Sequence, residues 1–286
     1  MKQYKFTFVI LHYLTMEDTI DCIESIRDKC RNFQYRIIVV DNASPNNSGR
    51  KLEKKYKDDS DIKVVVNREN VGFARGNNIG FKIAKEDKSD FIILCNNDTK
   101  LLQDNFLKLI VDEYENSLFA VLGPKILLKD NSVNDVNLLI PSKKSIKKEI
   151  LYTKLDYILN LFFIKNILNK IKRDEEKINK DYQQALIRYE DGIVLHGCFY
   201  IFSKQYIDMF DGLDDRTYMY GEEVLLFIRL KRNNLKSVYN PDIEILHKED
   251  SSTNAYCDKN NRKKQLFKRK NALKSLKIIL EDLKDE

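Results

Sequence analysis

Short apolar segments alternate with amphipathic segments along the first half of the chain, and this alternation restricts the possible folds more than any other feature. Apolar, β-branched runs predict strands at residues 6–12, 36–40, 62–66, 91–95 and 119–122. Spacing or composition predicts helices after Thr15 and at residues 49–57, 77–85 and 104–114. Strands joined by helices in this order form a parallel sheet with helices on both faces, so the predicted fold class is α/β.

Composition excludes several other classes of protein. Hydrophobic residues make up 43% of the 286 residues, which is enough for a folded core. No apolar stretch is long enough to span a bilayer, and the basic N-terminus predicts a first strand, not a signal peptide. Five scattered cysteines without a C-x-x-C motif argue against disulfides or a zinc cluster and predict a reducing cytoplasm. A net charge of +6 fits an anionic ligand or membrane surface without requiring nucleic acid.

Two common nucleotide-binding motifs are absent. The turn after the first strand, His12 to Asp18, contains no glycine, whereas a dinucleotide site needs G-x-G-x-x-G at that point so that the backbone can approach pyrophosphate. The chain also contains no G-x-x-x-x-G-K-[ST] sequence, so a P-loop is excluded.

Polar side chains follow most of the predicted strands. Ligands bind at the carboxyl ends of strands in sheets of this type, so these side chains are the first candidates for a site. The candidates are His12, Tyr13, Asp41, Asn42, residues 67–70 and residues 96–98.

Asp98 is the most informative of these residues, because it comes just after an apolar strand. One interpretation is a cap for the following helix. The other is a ligand for Mg²⁺ or Mn²⁺, which prefer oxygen donors and often take only one or two carboxylates from the protein. Asp41 also has two interpretations: it can form an Asx turn, or its carboxylate can accept a hydrogen bond from the imide N–H of uracil or thymine. In the sequence between Asp41 and Asp98, Arg75 could face a phosphate, and Gly76 allows close approach of the backbone to a ligand.

The second half of the chain is less regular. Residues 151–172 carry apolar side chains at helical spacing, which favours a helical insertion packed on the domain over a face resting on a membrane. Further strands are predicted at residues 193–202, 236–239 and 243–246, and a helix that begins with two acids at residues 222–232. A basic, then amphipathic, helix over residues 259–286 either contacts an anionic membrane or packs on the domain.

Four segments together resemble family-2 glycosyltransferases of the GT-A fold, and within them the bacterial rhamnosyltransferase-like branch that builds capsule, O-antigen and other surface polysaccharides. The segments are Asp41-Asn-Ala-Ser44, Asn70-Val-Gly-Phe-Ala-Arg-Gly-Asn77, Leu94-Cys-Asn-Asn-Asp98 and Tyr218-Met-Tyr-Gly-Glu-Glu223. The resemblance covers residues 6–122 and 192–253. It implies a GT-A domain over residues 1–258, with a nucleotide-sugar-binding half (1–125), a variable helical insertion (126–190) and an acceptor-binding half (191–258), followed by the basic helix at 259–286.

The resemblance also implies roles for individual residues. Asn96-Asn97-Asp98 stands where the family has a D-x-D-type motif, so Asp98 would bind the Mn²⁺ or Mg²⁺ that bridges the donor diphosphate, with His247 near the metal. The implied acceptor contacts are His196 and Tyr220, although a lone histidine such as His196 is more often structural. The implied donor-binding residues are His12, Tyr13, Asp41, Asn70, Gly72, Arg75, Asn77, Asn96 and Asn97.

The implied catalytic base is a carboxylate at the start of helix 222–232. The family pattern is commonly E-D-x-D-L, and the position of Arg229 aligns Glu223 with the catalytic Asp and Leu225 with the second Asp. Both are departures from the pattern, so Glu222 is the alternative base. Two acids in the first turn of a helix also have a simpler explanation, because they favour its dipole.

The implied activity is inverting, metal-dependent transfer of a sugar from a UDP- or dTDP-linked donor to a saccharide acceptor, in bacterial surface polysaccharide synthesis. Such acceptors are commonly attached to a membrane lipid diphosphate, which implies a cytoplasmic protein in peripheral contact with the inner face of the plasma membrane. The alternatives are a catalytically impaired binding subunit of a polysaccharide assembly complex and a sugar-nucleotide nucleotidylyltransferase. The lack of a glycine-rich N-terminal phosphate loop argues against the last, and the basic cluster does not form a nucleic-acid-binding module.

Overall fold

The computed structural model describes residues 4–134, 141–161, 184–249, 251–257 and 260–283. Its first half alternates strands and helices as expected. These elements are β1 (Phe6–His12), α1 (Met16–Lys29), β2 (Tyr35–Asp41), α2 (Ser48–Lys55), β3 (Ile62–Val66), α3 (Phe73–Glu86), β4 (Phe91–Asn96), β5 (Thr99–Leu101), α4 (Phe106–Ser117) and β6 (Val121–Leu128). The predicted strands therefore form within two residues of their predicted starts, because each one is a locally apolar run.

The second half contains longer connections and the tail helix. Its elements are α5 (Lys143–Leu161), β7 (Tyr189–Glu190), β8 (Phe199–Ser203), α6 (Lys204–Met209), α7 (Glu222–Arg232), β9 (Ser237–His247), α8 (Ser251–Tyr256) and α9 (Asn261–Asp282). None of the helices in the described ranges is long and apolar enough to cross a membrane. The predicted helix at 151–172 is seen as the end of α5, and its part beyond residue 161 lies outside the described residues.

One sheet runs through the whole molecule in the order β3-β2-β1-β4-β8-β6-β9-β5, with β7 paired to β9. The four strands β3, β2, β1 and β4 are parallel, as predicted. Strand β8 pairs antiparallel with both β4 and β6, and β5 pairs antiparallel with β9, so the complete sheet is mixed. The architecture is α/β, with a parallel half joined to a half in which antiparallel pairs flank the parallel pair of β6 and β9.

Helices cover both faces of the sheet, and the side chains of each strand alternate between two apolar cores. Phe8 and Ile10 of β1 pack in the core that also contains Ile23 of α1. Val9 faces the opposite core with Phe81 of α3. Because both faces are buried, the strands read as continuous apolar runs, which explains why they could be located in the sequence.

Three elements of the second half differ from the prediction. Strand β8 begins at Phe199, so residues 193–198 form an extended connection and not the start of a strand. Residues 236–239 and 243–246 belong to one long strand, β9. The pairing of β9 with β6 shifts register between Pro124 and Lys125, and this irregularity accommodates Pro241 within the strand.

The C-terminal helix α9 packs on the domain through its apolar side. Ile279 and Leu283 are buried in a third core with Leu225 and Ile228 of α7 and Ile146 of α5. The structure therefore shows the packed alternative for this helix, and its apolar side chains are used inside the protein. They do not form the apolar face that a membrane-bound tail would need.

Candidate active site

A cavity of about 330 Å³ opens at the carboxyl ends of the parallel strands. This is the place where α/β sheets bind ligands. Residues from both halves of the chain line it. They are Leu11, Tyr13, Asn42, Asn70, Phe73, Asn96, Asn97, Asp98, His196, Gly197, Cys198, Tyr218, Met219, Tyr220, Glu222, Glu223, His247, Glu249, Ser252, Tyr256, Phe267 and Lys268.

Asp98 and His247 face each other in this cavity. Strand β5 pairs antiparallel with β9, and Thr99 lies opposite His247, so Asp98 meets the last residue of β9. The Oδ1 atom of Asp98 lies 3.2 Å from Nε2 of His247, and both residues are buried. Asp98 does not cap the next helix, because α4 begins at Phe106 and has Asn105 at its N-cap position.

The environment of His247 raises its basicity. Burial alone would lower its pKa, but Asp98 and Cys198 outweigh burial and raise the pKa to about 10. Neither ring nitrogen of His247 completes a well-aligned hydrogen bond with any described residue. Once the imidazole has released its ring proton, His247 and the neighbouring carboxylate of Asp98 are a suitable pair of ligands for a divalent cation.

Asp98 and His247 thus fit a metal that takes its remaining ligands from a substrate. The described residues contain no group of three or more His, Cys, Asp or Glu side chains arranged to hold a metal ion. Mg²⁺ and Mn²⁺ sites commonly use one or two protein ligands plus substrate phosphates, so the pair is compatible with such a site. Asn97 is held by its neighbours, because its amide donates to Thr15 and Thr19 and its Oδ1 atom accepts from Ser252.

Glu222 and Glu223 begin helix α7 at the opposite wall of the cavity. Glu222 is buried, and no described residue bonds its Oε2 atom. Burial, and the neighbouring charge of Glu223, raise the pKa of Glu222 well above its usual value. Leu225, which stands at the second acidic position of the family pattern, is buried in the third core instead of facing the cavity.

Gly197 fixes the position of Glu223. A Cβ atom added to Gly197 would lie 2.7 Å from Oε1 of Glu223, which is closer than real Cβ contacts. The carboxylate therefore rests directly on the Gly197 backbone. His196, the preceding residue, also lines the cavity, and its ring centroid lies 5.9 Å from that of His247. Burial lowers the pKa of His196, but Cys198 and Glu223 outweigh it and raise the pKa to about 8.

Asparagine side chains hold one wall of the cavity together. The amide of Asn42 donates to Oδ1 of Asn70 and to the carbonyl of Gly72. Tyr218 donates its hydroxyl to the same Asn70 oxygen. Gly72 has a φ of 90°, and a Cβ there would lie 2.3 Å from the carbonyl oxygen of Tyr218, so glycine is required for this close approach.

An aromatic and basic wall comes from the C-terminal part of the chain. The rings of Tyr13 and Tyr256 have centroids 6.2 Å apart, and those of Tyr256 and Phe267 are 5.1 Å apart. Lys268 follows Phe267 on α9 and is the one lysine or arginine among the described residues lining the cavity. Sequence reasoning did not place these three C-terminal residues in the site, because the tertiary packing of α8 and α9 brings them there.

Helix α9 also braces the loop that leads into α7. Ser275 donates to the carbonyl oxygen of Met219, and a Cβ on Gly221 would lie 3.0 Å from atoms of Ser275 and Ile279. At its C-terminal end, Asp282 accepts two hydrogen bonds from the guanidinium of Arg216. The tail is therefore part of the scaffold of the site.

Five of the residues expected to bind the donor do not line the cavity, and Gly72, whose backbone contacts Tyr218, is one of them. His12 is fully buried and bonds to Thr19 and Ser48, and burial lowers its pKa to about 4. Asp41 forms the Asx-type turn, in which its carboxylate accepts bonds from the hydroxyl and amide of Ser44. Its pKa is raised by burial, which outweighs the opposing effect of Ser44.

The other two lie on α3. The exposed side chain of Arg75 donates to the carbonyl oxygen of Asp215, away from the cavity. Asn77 is buried and donates to the carbonyl of Phe73, one turn earlier in the same helix. Both residues fall inside α3 because the helix begins at Phe73, before its predicted start at residue 77.

Solved structures of similar fold include proteins bound to UDP and to UDP-GlcNAc. The chain is similar to S. aureus TarS 1–349 in complex with UDP, with a TM-score of 0.54 and 13% identity, over 88% of this chain and 62% of that chain. It is similar to the UDP-GlcNAc complex of the same protein, with a TM-score of 0.54 and 14% identity, over 86% and 59%. GalNAc-T7 with UDP, GalNAc and Mn²⁺ gives a TM-score of 0.58 and 13% identity, over 86% and 44%.

At these identities the likeness shows a shared fold, the GT-A fold, and this chain spans less than two thirds of the length of those structures. A search of curated proteins found no match. The model of one protein family, described as glycosyl transferase family 2, matches residues 7–207. That match spans more than half of the chain and includes β1 to β8, and the chain therefore belongs to glycosyl transferase family 2.

Proposed function

We propose that the protein is an inverting, metal-dependent glycosyltransferase that moves a sugar from a UDP- or dTDP-linked donor to a saccharide acceptor. The observation that carries the proposal is the cavity in which Asp98 and His247 face the carboxylates of Glu222 and Glu223. The membership in glycosyl transferase family 2 supports it, as do the UDP and UDP-GlcNAc bound by structures of the same fold.

Asp98 and His247 are proposed to hold Mn²⁺ or Mg²⁺ against the donor diphosphate. The cation, when bound, would supply charge stabilisation to the leaving nucleoside diphosphate. Manganese in the GalNAc-T7 structure supports this assignment by analogy of fold. Asn96 replaces the first acid of the family motif, so this chain provides one carboxylate where the common motif provides two.

Lys268 is proposed to neutralise part of the negative charge of the donor diphosphate. The cavity contains the carboxylates of Asp98, Glu223 and Glu249, which would repel a bare diphosphate. An ammonium group in the same wall attracts phosphate oxygens and opposes this repulsion. The aromatic rings of Tyr13, Tyr256 and Phe267 provide an adjacent apolar surface suited to a nucleobase or sugar face.

Glu223 is proposed as the base that takes the proton of the attacking acceptor hydroxyl. Burial raises the pKa of Glu222 and so favours its protonated form, and a protonated carboxyl cannot accept the proton. Proton transfer to one positioned carboxylate typically contributes about 10²–10⁴-fold in rate. A single attack from the face opposite the leaving group inverts the anomeric carbon, so no covalent sugar–enzyme intermediate is needed.

The proposal includes an acceptor side and a cellular setting. His196 and Tyr220 line the cavity next to Glu223 and are proposed to contact the acceptor sugar. The rhamnosyltransferase-like motifs support a role in capsule or O-antigen synthesis on a lipid-linked acceptor, at the cytoplasmic face of the membrane. The donor sugar, whether rhamnosyl or hexosyl, is left open by these motifs.

A panel of nucleotide sugars tests the proposal. A matching UDP- or dTDP-sugar in Mn²⁺ is expected to raise the melting temperature, because ligand binding stabilises the folded state by mass action. Slow hydrolysis of the same donor then separates a transferase from a subunit that only binds. A nucleotidylyltransferase would instead release pyrophosphate from a nucleoside triphosphate and a sugar phosphate. Failure of the whole panel to stabilise the protein would contradict the proposal.

A further inference from the structure

Helix α5 carries an apolar stripe that is exposed and that none of the described residues covers. Leu151, Leu155 and Ile158 are 57%, 50% and 48% exposed, although their spacing of four and three residues is typical of a buried helix face. The prediction that this helix packs on the domain is correct for its other side only. There, Ile146, Thr153 and Asn160 are buried.

Contacts with α9 fix which side of α5 faces outward. Arg269 of α9 bonds the carboxylate of Asp156, and Arg262 donates to the carbonyl oxygens of Asn160 and Leu161. These contacts hold the polar side of α5 against the protein. The apolar stripe consequently points away from the body of the molecule, the reverse of the usual arrangement for a surface helix.

Lysines border the stripe on both sides. On one edge, Lys147 and Lys154 each precede a stripe residue by one helical turn. On the other edge lies Lys148, and its ammonium is 5.6 Å from the ring centroid of the exposed Tyr152. All three lysines are exposed, whereas the acid Glu149 lies on the opposite side of the helix by its position in the turn. Apolar residues flanked by lysines are the pattern of helices that lie in the interface of an anionic bilayer.

We propose that this face of α5, defined by Leu151, Leu155, Ile158 and the bordering Lys147, Lys148 and Lys154, docks the protein on an anionic lipid bilayer. The charge of the border favours acidic headgroups over a second copy of this chain, which would bring the same lysines face to face. At 19 residues, α5 is about 28 Å long, enough to lie along a membrane surface.

The position of this face relative to the cavity fits a membrane-bound acceptor. Helix α9 touches α5 through Arg269 and lines the cavity through Phe267 and Lys268. One helix thus separates the docking face from the candidate active site. The inference deepens the proposed function, on which it rests for the identity of the acceptor, but the docking itself can be measured without any sugar transfer.

Co-sedimentation of the full chain with vesicles tests the inference. The protein is expected to bind vesicles that contain phosphatidylglycerol and to bind pure phosphatidylcholine vesicles much less, with affinity falling as salt rises. Replacing Lys147, Lys148 and Lys154 by Gln is expected to weaken binding by about 100-fold, since each lysine near an anionic leaflet contributes about five-fold. The control replaces Lys51 and Lys54 of α2, which are also exposed, and is expected to bind as the wild type does.

A second variant tests the apolar part of the face. Changing Leu151, Leu155 and Ile158 to Ser is expected to weaken vesicle binding at least about ten-fold, because their apolar area is no longer buried in the interface. Met209→Ser, at an apolar residue 51% exposed elsewhere, is the matched control. The circular dichroism spectrum and the UDP affinity are expected to be unchanged in the triple Gln and triple Ser variants. Unchanged values would show that both variants fold.

Three further outcomes would overturn the docking inference, and a fourth would separate it from the proposed function. Equal vesicle binding by the triple Ser variant and the wild type, or no binding by the wild type, would overturn the inference. A dimer of the wild type that the triple Ser variant abolishes would assign the face to a second copy and would also overturn it. Vesicle binding without any nucleotide binding would leave the docking face standing and reject the proposed function.

Discussion

Nε2 of His247 lies 3.2 Å from Oδ1 of Asp98, although the two residues are separated by about half of the chain. The antiparallel pairing of β5 with β9 brings them together, because Thr99 lies opposite His247 in the ladder. Neither residue could hold a cation alone in a buried site. The proposed metal site is therefore a property of the strand register, and it connects the first half of the chain to the second.

Removing the imidazole is expected to weaken the dependence of donor binding on metal. In His247→Ala, Asp98 loses its partner ligand, so we expect Mn²⁺ to improve UDP affinity at least about ten-fold less than in the wild type. Calorimetric titration of UDP with and without Mn²⁺ measures this difference. His196→Ala serves as the control, because its ring is in the same cavity but is assigned to the acceptor. An unchanged benefit from Mn²⁺ in His247→Ala would contradict the metal assignment.

A methyl group on Gly197 is expected to slow turnover without affecting the donor. Its Cβ would lie 2.7 Å from Oε1 of Glu223, so the carboxylate must move by a few tenths of an ångström or more. Small displacements of a proton acceptor cost rate, and we expect kcat of Gly197→Ala to fall about 10–100-fold. UDP affinity should stay within about two-fold of the wild type. A normal kcat, or a loss confined to KM for the donor, would argue against Glu223 as the base.

Lys268 is expected to recognise the diphosphate and not the nucleoside. We expect Lys268→Gln to weaken binding of UDP about ten-fold or more, as the loss of a charge-assisted hydrogen bond would, and to affect uridine little. Lys274→Gln, an exposed position on the same helix, is the control for a general change of charge. Equal affinity of Lys268→Gln and Lys274→Gln for UDP would remove Lys268 from the donor site.

The buried His12 is expected to make folding stability depend on pH below neutrality. Its pKa falls from 6.5 to about 4 in the folded state, so the unfolded chain binds the proton first as the pH drops. The free energy of unfolding should therefore decrease between pH 6.5 and pH 4, by up to about 3 kcal/mol from this residue. Urea denaturation of His12→Gln should show a flatter decrease over this interval. Parallel curves for the two proteins would show that His12 is not the group responsible.

The sequence predicted the parallel half of the fold closely because its strands are buried on both faces. Such strands are apolar throughout, and their ends are marked by polar residues such as Asp41 and Asn96. The same reasoning was wrong around Pro241, where it predicted two separate strands at residues 236–239 and 243–246. Strand β9 continues through Pro241 because the register shift beside Pro124 removes the need for its amide in the ladder.

The site could be predicted only in part, for two physical reasons. Side chains alternate along a strand, so Leu11 faces the cavity whereas His12 packs beneath it, and position at a strand end did not distinguish them. Phe267 and Lys268 reach the cavity through tertiary packing of α9, which leaves no local signal in the sequence. The basic tail, for which the sequence allowed either membrane contact or packing on the domain, thereby supplies a wall of the cavity.

Parallel titrations of UDP into wild-type protein, Asp98→Asn and Glu223→Gln, all in Mn²⁺, test the central claim most directly. The account predicts that Asp98→Asn loses both UDP affinity and turnover, because the metal site loses its carboxylate. Glu223→Gln should bind UDP like the wild type and lose turnover alone, because only proton removal is affected. If both variants lost UDP affinity equally, or if Asp98→Asn bound UDP as tightly as the wild type, the division between metal site and base would be contradicted.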